Sequence, residues 1–268
     1  MIKLFENELM GESRQSSKGN QLKFMRKGIW YKADYLGYEG LTEYTVSKLL
    51  AFSDLKKNEY VDYELEQLEY NGQIFNACKS RDFCDGWSLI TLERLFKNVY
   101  GQGLNKVIYS IQDHEERLRV LVDQVERTTG VKAFGNYMSK MLTIDSIFLN
   151  EDRHTHNMAI LTNEKNEFKL APIFDNGAGL MSDTKIEYPL GLDVIYNIDK
   201  IMSKTFCSDF TEQVDIAEKL YGENIHFHFS YNDVCEIVNA AEMYDEEIRR
   251  RVIDIVMEMR RRYEYLFK

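Results

Sequence analysis

An α+β fold, with a small antiparallel sheet carrying one helix ahead of a mainly helical remainder, is what this chain predicts. Three observations carry that expectation. Residues 60–68 alternate strictly, Val61, Tyr63 and Leu65 facing one way and Asp62, Glu64 and Glu66 the other, which is the period of a half-buried strand. Asn71-Gly72 follows, a pair suited to a tight hairpin, and residues 73–79 read as the partner strand. From Ser88 onward three- and four-residue spacings take over, and the run 132–149 is apolar on most faces, the mark of a helix at the centre of a core.

The elements can be taken in order. A small-polar stretch, 11–20, precedes two strand-like segments, 21–25 and 28–33, joined by a turn at Arg26-Lys27-Gly28. A loop with Gly37 and Gly40 leads to a helix of about ten residues, with Leu41, Tyr44, Leu49 and Leu50 at or near helical spacing. Amphipathic helices are expected over 91–100 and 114–128, ending at Gly101 and Gly130, then the buried helix over 132–149. Two short strands, 158–161 and 168–174, flank the polar turn 162–167. The last helix, 246–267, carries the stripe Ile248, Val252, Ile255, Met259, Tyr263, Leu266. The sheet-to-helix change places a boundary near residues 80–88, giving an N-terminal lobe of residues 1–84 and a C-terminal lobe of residues 85–268.

Composition narrows the function classes. At 268 residues, 44% hydrophobic and 29% charged, with 17 Tyr and 15 Phe, the chain can bury a substantial core. A net charge of −10 weighs against a protein that grips nucleic acid directly. No apolar run reaches the roughly 18 residues of a membrane span, and the N-terminus lacks the form of a signal peptide. A cytoplasmic protein with no membrane partner is expected, secretion by another route remaining open. The four cysteines have no CxxC spacing and read as reduced thiols, which argues against a zinc site.

The chemistry concentrates in Leu149-Asn150-Glu151-Asp152-Arg153-His154-Thr155-His156-Asn157, read with Ile173-Phe174-Asp175-Asn176-Gly177. Eight polar residues between the most apolar helix and an apolar strand are costly without a purpose. An acid, an amide five residues on, and a second acid after a hairpin are what phosphoryl transfer requires. One carboxylate (Asp152) orients the attacking hydroxyl, while the amide (Asn157) and the second acid (Asp175) hold Mg²⁺ against the ATP phosphates. Gly177 and Gly179 suit the backbone of a metal-binding loop. Upstream, Lys32 is a candidate for the nucleotide phosphates, steadied by a helix glutamate; Glu43, inside the helix, is preferred to Glu39, which is expected in the preceding loop.

The stretch 11–20, with Ser16, Ser17, Lys18 and Gly19, is a candidate phosphate-covering loop, although it matches neither GxGxxG nor the Walker pattern. Ser13, Ser16 and Ser17 are also candidates for phosphorylation. His154 is expected to orient the catalytic loop by hydrogen bonding, His156 receives no role, and His226 and His228 read as alternating residues near a helix junction. The runs Arg249–Arg251 and Arg260–Arg262 read as a solvated face of the last helix.

The pattern Asn150-x-Asp152-x-His154-x-x-Asn157, followed by Ala171-Pro172-Ile173-Phe174-Asp175, resembles the catalytic and metal-binding motifs of HipA-type serine/threonine kinases. The similarity is closest to the short, single-domain CtkA-type form, through Lys18–Phe24, Ile29–Lys32 and Leu36–Leu41. It implies a bilobed protein-kinase-like fold and an ATP/Mg²⁺-dependent kinase acting on a protein Ser or Thr, with autophosphorylation. Asp152 would be the catalytic base, Asn157 and Asp175 the metal ligands, and Lys32 the ATP lysine. The chain departs from the family at His156, where a lysine is common, and in having no subdomain ahead of the kinase core. A DNA-binding antitoxin partner is therefore not assumed, and a toxin–antitoxin or host-target partner stays open beside an unidentified protein substrate. The alternatives are a small-molecule or lipid kinase of the same fold and a pseudokinase scaffold.

Overall fold

The structure, a computed structural model, describes residues 1–10 and 21–268. The candidate phosphate-covering residues Ser16, Ser17, Lys18 and Gly19 lie outside the described residues, as does Ser13.

Five strands, β1 (Ile2–Lys3), β2 (Lys23–Arg26), β3 (Ile29–Ala33), β4 (Glu64–Tyr70) and β5 (Gln73–Arg81), form one sheet in the order β1-β4-β5-β3-β2. Asn71 and Gly72, at φ 50° and 77°, make the β4–β5 turn with both central residues left-handed, the geometry that matches strand twist. The sheet is mixed rather than antiparallel, because β1 runs parallel to β4. β4 also starts later than the alternation suggested. Residues 60 and 61 are extended but pair elsewhere: the Val61 N–H donates to the Ile173 carbonyl at 3.0 Å, and the Ile173 N–H to the Glu59 carbonyl at 2.7 Å.

Helix α1 (Glu39–Leu50) lies against β5, β4 and β3. Glu39 is its first residue, not part of the loop before it. Its carboxylate accepts from the backbone N–H of Tyr35, Leu36 and Gly37 at 3.2, 2.6 and 3.1 Å, so an acid at the helix start serves the turn that precedes it.

The rest is mainly helical: α2 (Leu92–Tyr100), α3 (Leu104–Ile108), α4 (His114–Thr129), α5 (Phe134–Ile147), α6 (Val194–Ile198), α7 (Phe210–Tyr221), α8 (Tyr231–Asn239) and α9 (Glu246–Arg262). Side chains of Thr91, Asp113, Asp209 and Ser230 cap α2, α4, α7 and α8, each satisfying an otherwise orphaned N–H. A three-stranded antiparallel sheet, β6 (Ser88–Thr91), β7 (Ala159–Thr162) and β8 (Phe168–Leu170), is set into this region. β6 carries no sequence signal of its own; four residues become a strand because β7 offers an edge. β8 stops at Leu170 rather than 174, since Pro172 has no N–H to donate and Ile173 turns to residues 59–61. α9 ends at Arg262, and Glu264–Leu266 form one 3₁₀ turn. Arg251 departs from the solvated face expected of it: it is buried and donates to the Pro189 carbonyl at 3.0 Å.

α5 is buried along its length, as its composition implies, and packs on α4, α7 and α9. Phe227, wholly buried, bridges this core to the C-terminus, with ring centroids 6.3 Å from Phe148, 5.8 Å from Phe229 and 5.5 Å from Phe267. Among the described residues no helix is long and apolar enough to cross a membrane. Phe227→Ala should cost about 3–5 kcal/mol of stability, read as a lowered urea midpoint with an unchanged slope.

Candidate active site

The site begins with a lysine on a strand. Lys32 shares its face of the sheet with Lys23 on β2 and Cys78 on β5, its directly paired residues. From there its ammonium reaches Glu43 Oε1 of α1 at 2.5 Å and Asp175 Oδ1 at 2.6 Å. The Tyr63 hydroxyl lies 3.4 Å away, and the ring itself 5.2 Å below the ammonium. The choice of Glu43 over Glu39 is thus the one the geometry makes. Glu43 is almost fully buried, and its second oxygen accepts the Asn176 N–H at 2.9 Å. One glutamate on α1 therefore holds both the lysine and the backbone of the loop carrying Asp175.

Charge balance follows from this packing. Burial works against the charged form of Lys32, but Asp175 and Glu43 outweigh it and hold the ammonium pKa well above the usual lysine range. For Asp175, burial pushes the carboxyl up, yet Lys32, then Lys23 and Arg153, bring it below the usual carboxylate range. Lys23 goes the other way: burial lowers it, and Lys32 adds to the lowering against the pull of Asp175.

Asp175 itself sits in the left-handed region at φ 61°, as do Leu149 at 53°, Leu180 at 51° and Met181 at 56°. Gly177 and Gly179, expected to supply such conformations, do not adopt them. The strain is carried by residues with side chains and held by stitching: the Leu180 N–H donates to the Phe148 carbonyl at 2.7 Å, and the Tyr38 hydroxyl to the Leu180 carbonyl at 2.6 Å.

Asp152 and Asn157 face each other across the loop between α5 and β7. Asn157 Nδ2 donates to the Asp152 carbonyl at 2.8 Å and to Asp152 Oδ2 at 3.0 Å. His154 Nδ1 accepts the His156 N–H at 3.1 Å, which leaves the ring proton on Nε2, 3.7 Å from Asp152 Oδ1. Burial, with help from His156 and against the pull of Asp152, lowers the His154 pKa. His154 is thus a neutral prop for the loop at neutral pH. His156 stands edge-on to it at 5.2 Å, exposed to solvent. Asp152, Asn157, Asp175, Glu43 and Glu39 all line one cleft, with Tyr35, Leu36, Ser182 and Asp183 at other walls.

Two residues that hold the site together escape a motif reading. Arg153, 1% exposed, donates from Nε and Nη2 to the fully buried Asp145 of α5 at 3.0 Å. Its Nη1 reaches the Phe174 carbonyl at 2.7 Å and its Nη2 the Asn176 side-chain oxygen at 2.7 Å. Asn150 Nδ2 completes the cluster on Asp145 Oδ1 at 2.8 Å. One guanidinium thus fixes the loop of Asp152 to the loop of Asp175. The available signal was an aspartate inside an otherwise apolar helix. Elsewhere, His226 and His228 both bind Asp54, at 2.8 and 3.0 Å, far from this chemistry in sequence and role.

No protein-family model matches the sequence, and no curated protein matches it. Among solved structures, the chain is similar to the Helicobacter pylori proinflammatory kinase CtkA, with a TM-score of 0.61 and 17% identity over 97% of this chain and 95% of that one. It also matches HipA from the Shewanella oneidensis MR-1 HipA–HipB–operator DNA complex, with a TM-score of 0.46 and 10% identity over 95% of this chain and 62% of that one. The likeness to CtkA shows a kinase-like α+β fold, and the resemblance to the short CtkA-type form is met at that level.

Two outcomes test the site's construction. Asp145→Ala leaves a buried guanidinium without its carboxylate and should cost about 3–5 kcal/mol in urea unfolding, much of it recovered by adding Arg153→Met. Asp175 has a depressed pKa, so its pairing with Lys32 contributes fully above the unfolded carboxylate range near about 4 and fades as pH falls. The difference in Tm between the parent and Lys32→Met should hold steady from about pH 5 to 8 and shrink below about pH 4.

Proposed function

We propose that this chain is an ATP- and Mg²⁺-dependent serine/threonine protein kinase that also phosphorylates itself. A kinase-like fold supports the reading, and one observation carries it: Lys32 lies between Glu43 and Asp175 while Asp152 and Asn157 are bonded to each other on the same cleft. In this reading residues 1–84 form one lobe and 85–268 the other, with the nucleotide between them.

Asn157 and Asp175 would hold the metal, an oxygen-donor pair of the kind Mg²⁺ takes. Held there, Mg²⁺ would supply positive charge against the phosphates. Lys32, steadied by Glu43, binds the nucleotide phosphates. Residues 11–20, with Ser16, Ser17, Lys18 and Gly19, are the stretch that would cover them in this reading. Asp152 accepts the hydrogen bond of the substrate Ser or Thr hydroxyl, aims its oxygen at the γ-phosphorus and takes its proton. A bond forms from that oxygen to phosphorus as the bond to the ADP oxygen breaks. His154 and Arg153 position the loop without touching substrate.

The test is transfer from labelled ATP to a panel of proteins, sugars and lipids, with mass spectrometry of the enzyme itself. Phosphate is expected on protein Ser or Thr and on Ser13, Ser16 or Ser17. Asp152→Ala should lower transfer by roughly 10²–10⁴-fold with nucleotide binding retained, and Asp175→Ala should weaken Mg²⁺-dependent nucleotide binding. Full transfer by Asp152→Ala, or label only on sugars or lipids, would overturn the reading.

A further inference from the structure

Away from the cleft, three side chains of different chemistry converge where α4 and α7 begin. His114 opens α4, Glu212 lies in the first turn of α7, and Cys207 is buried in the loop just before it. One donor atom from each lies within 4.8 Å of the other two. His114 Nδ1 stands 2.7 Å from Glu212 Oε1, and Cys207 Sγ donates to the Asp209 carbonyl at 3.2 Å. Among the described residues this is the one group of three or more such ligands so gathered.

The loop that presents Cys207 is firmly built. Arg117, reaching over from α4, donates to the Phe206 and Ile111 carbonyls. The Tyr109 hydroxyl contacts the Thr205 carbonyl at 2.9 Å. The Ser203 N–H meets the Ser208 carbonyl at 2.9 Å, and the Ser203 hydroxyl donates to Gln213 Oε1 at 2.8 Å. Two capped helices and a pinned loop therefore hold an imidazole, a thiol and a carboxylate in one place. Nothing in the proposed phosphoryl transfer uses any of the three.

We propose that His114, Cys207 and Glu212 form a binding site for a zinc-class transition-metal ion, with its fourth position open to water. The nitrogen, sulfur and oxygen donors suit tetrahedral Zn²⁺, whereas a thiol is foreign to Mg²⁺ and Ca²⁺. Bond lengths of about 2.0–2.3 Å put tetrahedral ligand atoms roughly 3.3–3.8 Å apart. The three residues reach that spacing by adjustments on the order of 1 Å, within the compass of side-chain rotation. On binding, the thiol proton leaves to solvent and the thiolate takes its place on the metal; no electron changes hands. Cysteine spacing argued against zinc because His114 and Cys207 are far apart in the chain and only the α4–α7 packing unites them. The ion would lock the starts of the two helices to each other. The cleft ligands Asn157 and Asp175 are oxygen donors, so the two places select different ions.

Co²⁺ titration of the purified full chain, with excess Mg²⁺ present, tests this. The expected result is one equivalent of cobalt giving visible tetrahedral bands and a near-ultraviolet thiolate-to-metal charge-transfer band, both abolished by added Zn²⁺. Cys207→Ser should remove the charge-transfer band, and His114→Ala should weaken binding by about 10-fold or more. His228→Ala, on the other histidine cluster, should change neither. Zn²⁺ should raise Tm in the parent and not in the His114→Ala, Glu212→Gln double variant, whose substitutions lie at positions that are not buried and which decides the matter should Cys207→Ser fail to fold by circular dichroism. Absence of the charge-transfer band, its survival in Cys207→Ser, or an equal Tm rise in the double variant would overturn the site. None of these readouts depends on kinase activity.

Discussion

The arrangement depends on one buried ion pair. Asp145 is a carboxylate in a helix chosen otherwise for apolar contact, and Arg153 is the group that makes it tolerable. Burial raises the Asp145 pKa even with Arg153 pulling it down, so the pair is no simple gain in stability. What it supplies is position. The planar guanidinium presents donors in a fixed fork, and here the fork spans α5, the Asp152 loop and the Asp175 loop. A lysine, a point charge on a flexible stem, has no such geometry.

The second organising element is an imbalance of charge around Lys32. Two carboxylates share one ammonium, and a second lysine, Lys23, stands behind it. Asp175 is thereby kept ionised in a partly buried place. It is also kept in a left-handed backbone conformation, which aspartate tolerates better than most residues that carry a Cβ. The bond from the Asn176 N–H to Glu43 ties the electrostatics to that backbone.

Much of this was legible from local patterns. Alternation and the Asn71-Gly72 turn located the sheet, helical spacing located α2, α4 and α5, and acid–amide–acid spacing singled out Asp152, Asn157 and Asp175. The lysine and Glu43 followed from their order. What was not legible arises where a residue's partner is distant. β1 joins the sheet in parallel only because β4 has a spare edge. Residues 60–61 leave the β4 ladder because Ile173, far downstream in the sequence, pairs with them. Arg251 is buried and bonded to the Pro189 carbonyl, a partner 62 residues away that its arginine-rich surroundings do not announce. Asp145 and Arg153, eight residues apart, meet through the bend at Leu149, which no periodicity encodes.

Helix α1 has a consequence beyond its glutamate. It packs on the sheet through β5 and β4, yet it also contacts α8, and Leu41, Val46, Leu49 and Leu50 lie in the same apolar core as the C-terminal helices. The Tyr244 hydroxyl on Asp34 and the Asn76 amide on the Met243 carbonyl add further straps. Stripping those four side chains of their cover would cost about 1.5–3 kcal/mol each. The sheet is therefore joined to the helical region through shared apolar core as well as through hydrogen bonds, so parting the two would bare that core to water.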